Sequence, residues 1–271
     1  MTHSRIPNVL AIAGSDPSGG AGIQADLKAF AAQRCYGMAA ITALTAQNTC
    51  GVSGVHLVPP AFVQQQLAAI FADVRVDAVK IGMIATAEIA HAVADTLSAY
   101  PGVPIVLDPV MIAKGGAPLL RDDAIDAVRT RLVPLATVIT PNLPEAARLL
   151  DLRVATSRDE MLSHAKALLT LGPSAVLLKG GHLESGESPD CLVSAHAVHW
   201  FESPRVATTH THGTGCTLSA ALAAQLAHGA SLPDAVHAAK TYVTAAIAAA
   251  PQLTVGHGHG PTHHFHALWQ V

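Results

Sequence analysis

Charge is what this 271-residue chain has least of: only 13 % of its residues are Asp, Glu, Lys or Arg, its formal net charge is −3, and no block of like charge occurs. Neither a basic face for nucleic acid nor a polybasic membrane patch can be assembled from such a sequence, so a small-molecule partner is expected. The four cysteines, Cys35, Cys50, Cys191 and Cys216, form no C-x-x-C pair. That argues against a zinc knot and a disulfide framework, and fits a reducing compartment. The N-terminal apolar run, Val9 to Ala13, is too short for a signal sequence, and Pro251 interrupts the Ala-rich run near the end, so a cytoplasmic protein is expected. A Gly-Lys dipeptide is missing, which excludes a Walker phosphate loop. Asp and Glu are missing between Asp26 and Asp73, so the G-x-G-x-x-A spacing of Gly20, Gly22 and Ala25 lacks the ribose-binding acid of a dinucleotide fold.

Half of the residues are apolar, enough for a sizeable core. Short apolar runs bounded by Gly, Pro or Asp recur at 9–15, 38–46, 78–84, 104–110, 136–142 and 174–181, and between them lie Ala/Leu-rich stretches with helical spacing. Strand then helix, repeated, predicts an α/β fold with a mostly parallel central sheet and helices on both faces. Residues 190–206 read as an edge hairpin, and two helices are expected near 215–228 and 233–249. No linker divides the chain, so one domain spanning 1–271 is expected. Ligands of such sheets bind beyond the carboxyl ends of the strands, where Gly14, Met83, Asp108, Asn142 and Lys179 fall.

The segment THGTGCTLSAALAAQLA, 211–227, runs from a small-residue turn directly into a helix. Gly213 and Gly215 allow a tight turn that leaves the amides of Gly213, Thr214, Gly215 and Cys216 aimed outward at the positive helix end, as an anion hole. The same dipole is expected to lower the pKa of the Cys216 thiol, making it a base or nucleophile; alternatively Cys216 is a small residue buried at a helix start. Asp26 reads either as a site carboxylate or as a solvated helix-face residue. Glu145, after Pro144, reads either as a ligand or as a favourable charge on a helix N-terminus. Lys179, directly after an apolar strand and before two glycines, suits a phosphate as a point charge.

GSDPSGGAGIQADLK, ITALTAQNT, VLDPVM, TPNLPEA, LLKGGH and THGTGCTLSAALAA, in this order, resemble the hydroxymethylpyrimidine/phosphomethylpyrimidine kinases of thiamine biosynthesis, within the ribokinase-like superfamily of three-layer sandwiches. The resemblance implies ATP- and Mg²⁺-dependent phosphorylation of 4-amino-5-hydroxymethyl-2-methylpyrimidine and then of its monophosphate, by a homodimer. It implies Cys216 as the base, where many related sugar kinases carry Asp, with Gly213, Thr214 and Gly215 around the transferring phosphoryl group. It also implies Gln47 as reader of the pyrimidine, with Gly14, Asp26, Met83 and Val110 around it. Asp108 and Glu145 would hold Mg²⁺ and its waters; Lys179, Asn142 and His212 would serve the nucleotide side. The tail contributes His257, His259, His263, His264 and His266; most of it is expected to be structural, with His257 and His259 unexplained. Pyridoxal or pyridoxine kinase activity is the nearest alternative, and a binding module that senses the pyrimidine without turnover is the other.

Overall fold

The protein is described here by a computed structural model covering residues 5–111, 122–183 and 187–269. Its centre is an eight-stranded sheet in the order β10-β9-β8-β7-β6-β5-β1-β2. Six of these strands run parallel: β1 (Asn8–Ala13), β2 (Tyr36–Ile41), β5 (Ala78–Ile81), β6 (Ile105–Leu107), β7 (Val138–Ile139) and β8 (Ala175–Lys179). The antiparallel edge is β9 (Asp190–Ser194) and β10 (Val198–Phe201), the hairpin expected from the sequence.

Alternation along each strand feeds two cores. Leu10, Ile12, Val79, Ile81, Leu107 and Ile139 face one layer, made by α2 (Pro60–Asp73), α3 (Ala87–Leu97), α4 (Asp122–Ala127), α5 (Leu143–Leu150) and α6 (Arg158–Leu169). Val9, Ala11, Ala13, Ala78, Val106 and Val138 face the other, made by α1 (Gly22–Ala32), α7 (Thr214–Ala227) and α8 (Leu232–Ala248). Because both sheet faces are covered, the strands read as continuous apolar runs. Helix α7 is buried on nearly every side from Thr217 to Ala224, which its small residues permit. A helix buried all round must lack a polar stripe, and this one does.

The run 38–46 is not one strand. After Ile41 the chain leaves the sheet, because Gln66 occupies the ladder position with its amide, donating to Ile41 O and accepting from Ile41 N. Thr42 turns inward, its hydroxyl donating to Met83 O at 2.7 Å. The chain then continues as β3 (Ala43–Asn48), which pairs with β4 (Gly51–Leu57) in a separate two-stranded sheet. The glycine-interrupted β4 had no clear strand signature. This hairpin projects Thr45 and Gln47 over the carboxyl ends of the main strands.

The tail docks on the hairpin tip. His259 N donates to Thr49 O at 2.9 Å, Gly258 N to Thr49 Oγ1 at 3.2 Å, and His257 Nε2 lies 3.4 Å from Cys50 Sγ. His257 and His259 thereby acquire a structural place, and His263 and His264 are buried.

One polar pair crosses the α1 layer. Lys80, inside the otherwise apolar β5, and Asp26 on α1 are both fully buried, with Nζ at 2.8 Å from each carboxylate oxygen. Burial works against the ammonium, yet Asp26 holds Lys80 above the usual lysine range. Removing one member leaves an uncompensated buried charge. Lys80→Met should therefore lower unfolding free energy by about 3–5 kcal/mol, while Asp26→Leu combined with Lys80→Met should recover most of that loss. Denaturant titration of the three proteins checks this; a Lys80→Met single variant of wild-type stability would contradict it.

Candidate active site

A cavity of about 720 Å³ opens where the strands end, and it gathers Gly14, Gln47, Met83, Asp108, Val110, Asn142, Glu145, Lys179 and the turn 212–216. Asp26 is not among the residues lining it. This carboxylate is neither solvated nor exposed to a ligand: it lies behind the cavity wall, holding Lys80, which does reach the lining. A lysine in the middle of an apolar strand was the available signal, since such a charge is buried only with a partner.

At one end the turn before α7 is formed by Gly213, with φ of +75° and no side-chain cap on the helix. A Cβ at Gly213 would lie 1.8 Å from Gly20 O, so only glycine lets this turn close against the first loop. The first-turn amides of a helix lack intrahelical acceptors. Thr214 N returns to Thr211 O at 3.4 Å, so one amide of the expected anion hole is engaged locally. Gly215 and Cys216 border the cavity.

The Cys216 thiol departs from expectation. Burial pushes its pKa up to about 11; Lys80 and a backbone hydrogen bond from Gly22 act in the opposite sense, while Asp26 and Asp108 reinforce the rise. Desolvation beside two carboxylates outweighs the helix dipole, and the thiol is neutral at pH 7 in the free protein.

Opposite the turn, Lys179 donates to Asp108 Oδ1 at 2.8 Å, and Thr140 Oγ1 donates to the same oxygen at 3.1 Å. Burial alone would raise the Asp108 pKa, but Lys179 and Lys80 hold it below the ordinary carboxylate range. Asn142 and Glu145 form a capping box on α5: Glu145 N donates to Asn142 Oδ1 at 2.9 Å and Asn142 N to Glu145 Oε2 at 2.8 Å. Glu145 thus serves the helix terminus and also reaches the cavity. Burial, against the pull of Lys179 and with reinforcement from Asp108, pushes its pKa up to about 7. Among the described residues no group of three or more His, Cys, Asp or Glu could hold a metal. Two buried carboxylates on one wall fit a cation that keeps most of its waters, as Mg²⁺ does.

At the other end, Gly14 packs on Met83, where a Cβ would lie 3.0 Å from Sδ. Two residues there escaped the sequence reading. Thr45 donates its hydroxyl to Ser15 O at 2.8 Å. Asp16, 2 % exposed, accepts from Ser18 N and Oγ, from Ala21 N and from His212 Nε2. Although burial would raise its pKa, the His212 and Ser18 hydrogen bonds hold the Asp16 carboxyl below the usual range. The Asp-Pro-Ser sequence was its signal, because Asp before such a turn accepts the amide two residues on. His212, expected on the nucleotide side, directs Nε2 to Asp16 and lies 3.3 Å from the Gln47 amide.

The remaining lining, including Val206, Val243 and Ile247, extends the cavity along α8 as an apolar annex. At its border Lys240 donates to Asp190 Oδ2 at 2.6 Å, and Asp190 Oδ1 accepts from Gly180 N at 3.0 Å, fixing the backbone next to Lys179.

Known proteins resemble this chain in sequence and in fold. The chain is 55 % identical to the hydroxymethylpyrimidine/phosphomethylpyrimidine kinase of Salmonella typhimurium over 262 residues, 97 % of this chain and 98 % of that protein. The structure resembles the ADP complex of Bacillus subtilis pyridoxal kinase with a TM-score of 0.90 and 39 % identity, covering 97 % of this chain and 99 % of that one. It resembles phosphomethylpyrimidine kinase from Clostridium difficile with a TM-score of 0.79 and 42 % identity, covering 90 % and 100 %. The phosphomethylpyrimidine kinase profile matches residues 16–263, and the chain belongs to that family.

Proposed function

We propose that this protein uses ATP to phosphorylate 4-amino-5-hydroxymethyl-2-methylpyrimidine and then to phosphorylate the monophosphate to the diphosphate. The observation that carries this reading is the placement of Cys216, the Gly213 turn, Lys179 and the Asp108–Glu145 pair along one cavity whose far end presents Gln47.

Gln47 offers an amide donor and acceptor side by side, the complement of a ring nitrogen and its neighbouring exocyclic amine. Met83 and Val110 cover the ring, and Gly14 leaves room for Met83. The hydroxymethyl group then points to Cys216, whose thiolate form takes its proton to become the thiol as oxygen bonds to the γ-phosphorus and the bond to the ADP oxygen breaks. The amides of Gly215 and Cys216, with Lys179, stabilise the charge spreading over the phosphoryl oxygens. Asp108 and Glu145 would hold Mg²⁺, which would supply positive charge against the phosphates. Asn142 keeps Glu145 in place through the capping box, and the apolar annex along α8 receives the adenine. Asp26 acts from behind the wall by fixing Lys80.

We propose a homodimer in the cytoplasm, folded as one domain. Support for self-association comes from exposed apolar residues on the hairpin and α2, Leu44, Val55, Leu57 and Phe62; sedimentation equilibrium tests it. No helix of the described residues is long and apolar enough to cross a membrane. The likeness to a pyridoxal kinase supports a second reading, in which pyridoxal is also phosphorylated. ADP release with the hydroxymethylpyrimidine, its monophosphate and pyridoxal, each assayed separately, tests both readings. Turnover of pyridoxal alone would overturn the pyrimidine assignment.

The two acceptors differ in their need for a base. A hydroxyl must lose a proton, whereas a phosphomonoester is already ionised at neutral pH. Cys216→Ala should lower kcat for the hydroxymethylpyrimidine by about 10²-fold or more and for the monophosphate by less than about 10-fold. Equal losses would show that the thiol does not act as the base.

With a thiol pKa raised to about 11, the thiolate fraction grows close to tenfold per pH unit below that value. The first reaction should accelerate from pH 7 to 9 in wild type, and in Cys216→Ala only the shallower rise from deprotonation of Glu145, pushed up to about 7, should remain. A flat wild-type profile with chemistry rate-limiting would refute the assignment.

A further inference from the structure

Three side chains at the pyrimidine end share one hydrogen-bond chain whose protons can be assigned. The amide nitrogen of Gln47 is placed 3.3 Å from His212 Nε2, and its oxygen 3.3 Å from Thr45 Oγ1. His212 Nε2 also lies 2.8 Å from Asp16 Oδ2, in a buried position. An unprotonated Nε2 would set its lone pair against a carboxylate, so Nε2 carries the proton and donates to Asp16. The Gln47 nitrogen would then face another donor. At the opposite end, the single hydroxyl proton of Thr45 is spent on Ser15 O at 2.8 Å, leaving only lone pairs toward the Gln47 oxygen.

Both ends are mismatched in the same way, and one half-turn of the amide relieves both, fully at Thr45 and by removing the donor–donor clash at His212. Amide nitrogen and oxygen occupy nearly the same space, so hydrogen bonding decides between the two orientations. Turned, the Gln47 nitrogen donates to Thr45, and its oxygen faces the Nε2–H of His212, sharing the one proton that Asp16 already accepts. Each keeps one further valence, an acceptor on the His212 side and a donor on the Thr45 side.

We propose that Asp16 is a specificity-determining positioning residue: by fixing the His212 proton it sets the sense of the Gln47 amide, and so selects a 4-amino over a 4-oxo pyrimidine. The inference rests on Gln47 being the reader of the ring. A 4-aminopyrimidine presents an amine donor beside a ring-nitrogen acceptor. Its 4-oxo counterpart presents a carbonyl acceptor beside a ring N–H donor, the same edge inverted. With Asn at position 16 an amide nitrogen can face His212, move its proton to Nδ1, and release or reverse the Gln47 amide.

The test compares kcat/KM for 5-hydroxymethyl-2-methylpyrimidine carrying 4-amino or 4-oxo, in wild type, Asp16→Asn, Thr45→Val and Gln47→Ala. Wild type should prefer the amino compound by on the order of 10²-fold or more, since mismatched buried hydrogen bonds are strongly rejected. Asp16→Asn should cut that preference by about 10-fold or more, through KM for the pyrimidine, with KM for ATP within about threefold. Thr45→Val, which removes the other anchor, should also cut it. A merely structural loss would lower both compounds equally, so an unchanged ratio in folded Asp16→Asn overturns the proposal. Should that variant fail to fold, an unchanged ratio in Thr45→Val overturns it. If Gln47→Ala leaves the pyrimidine KM unchanged, the reader assignment itself fails.

Discussion

Charge buried at the ends of the strands is the constraint around which the site is arranged. Lys80 on β5 and Lys179 on β8 are cations at the same edge of the sheet, and Asp26, Asp108 and Glu145 are the anions that balance them. In a low-dielectric wall none of these groups is tolerable alone. The sheet settles their spacing, because adjacent parallel strands present their carboxyl ends side by side. The resulting network holds one carboxylate, Asp108, firmly ionised and another, Glu145, near the point of protonation. On the proposed function, a wall in that condition would suit a cation and the phosphates that a cation accompanies.

Helix α7 completes the site because its residues are small. Thr217 to Ala224 are buried on every side, so the helix can run through the core with its first turn at the cavity. Gly213 closes against Gly20 and thereby ties the turn before α7 to the first loop, which Asp16 in turn holds through Ser18, Ala21 and His212. The two parts of the cavity are consequently one connected structure.

The mostly parallel sheet with helices on both faces, and the strand-end and helix-start residues of the cavity, were legible in the sequence because they follow from local pattern. Apolar runs ending in Gly, Asp or Lys placed Gly14, Asp108 and Lys179 at strand ends, and the small-residue turn placed Cys216 at a helix start. What was not legible depends on distant partners. Asp26 and Lys80 are 54 positions apart, and neither half alone says that the other is there. The break after Ile41 depends on Gln66, 25 positions away. The ionisation of Cys216 was misread because the dipole is a local feature, whereas the burial and the two carboxylates that outweigh it belong to the folded whole.

That same environment gives a reason for sulfur at position 216. A carboxylate there would be a fourth anion beside Asp26, Asp108 and Glu145, and in a buried site each added like charge raises the pKa of the others. It would also repel the incoming phosphates. A thiol is small and uncharged until a proton is withdrawn, so phosphate meets no standing negative charge at the point of transfer. The benefit is larger for an acceptor that already carries a phosphate, where a fixed carboxylate would face two phosphate groups at once. On the proposed function, only the small thiolate fraction would act as base, for the hydroxyl acceptor, while the acceptor that already carries phosphate would meet a neutral thiol and bring its own ionised oxygen, so one unrebuilt cavity would accommodate both.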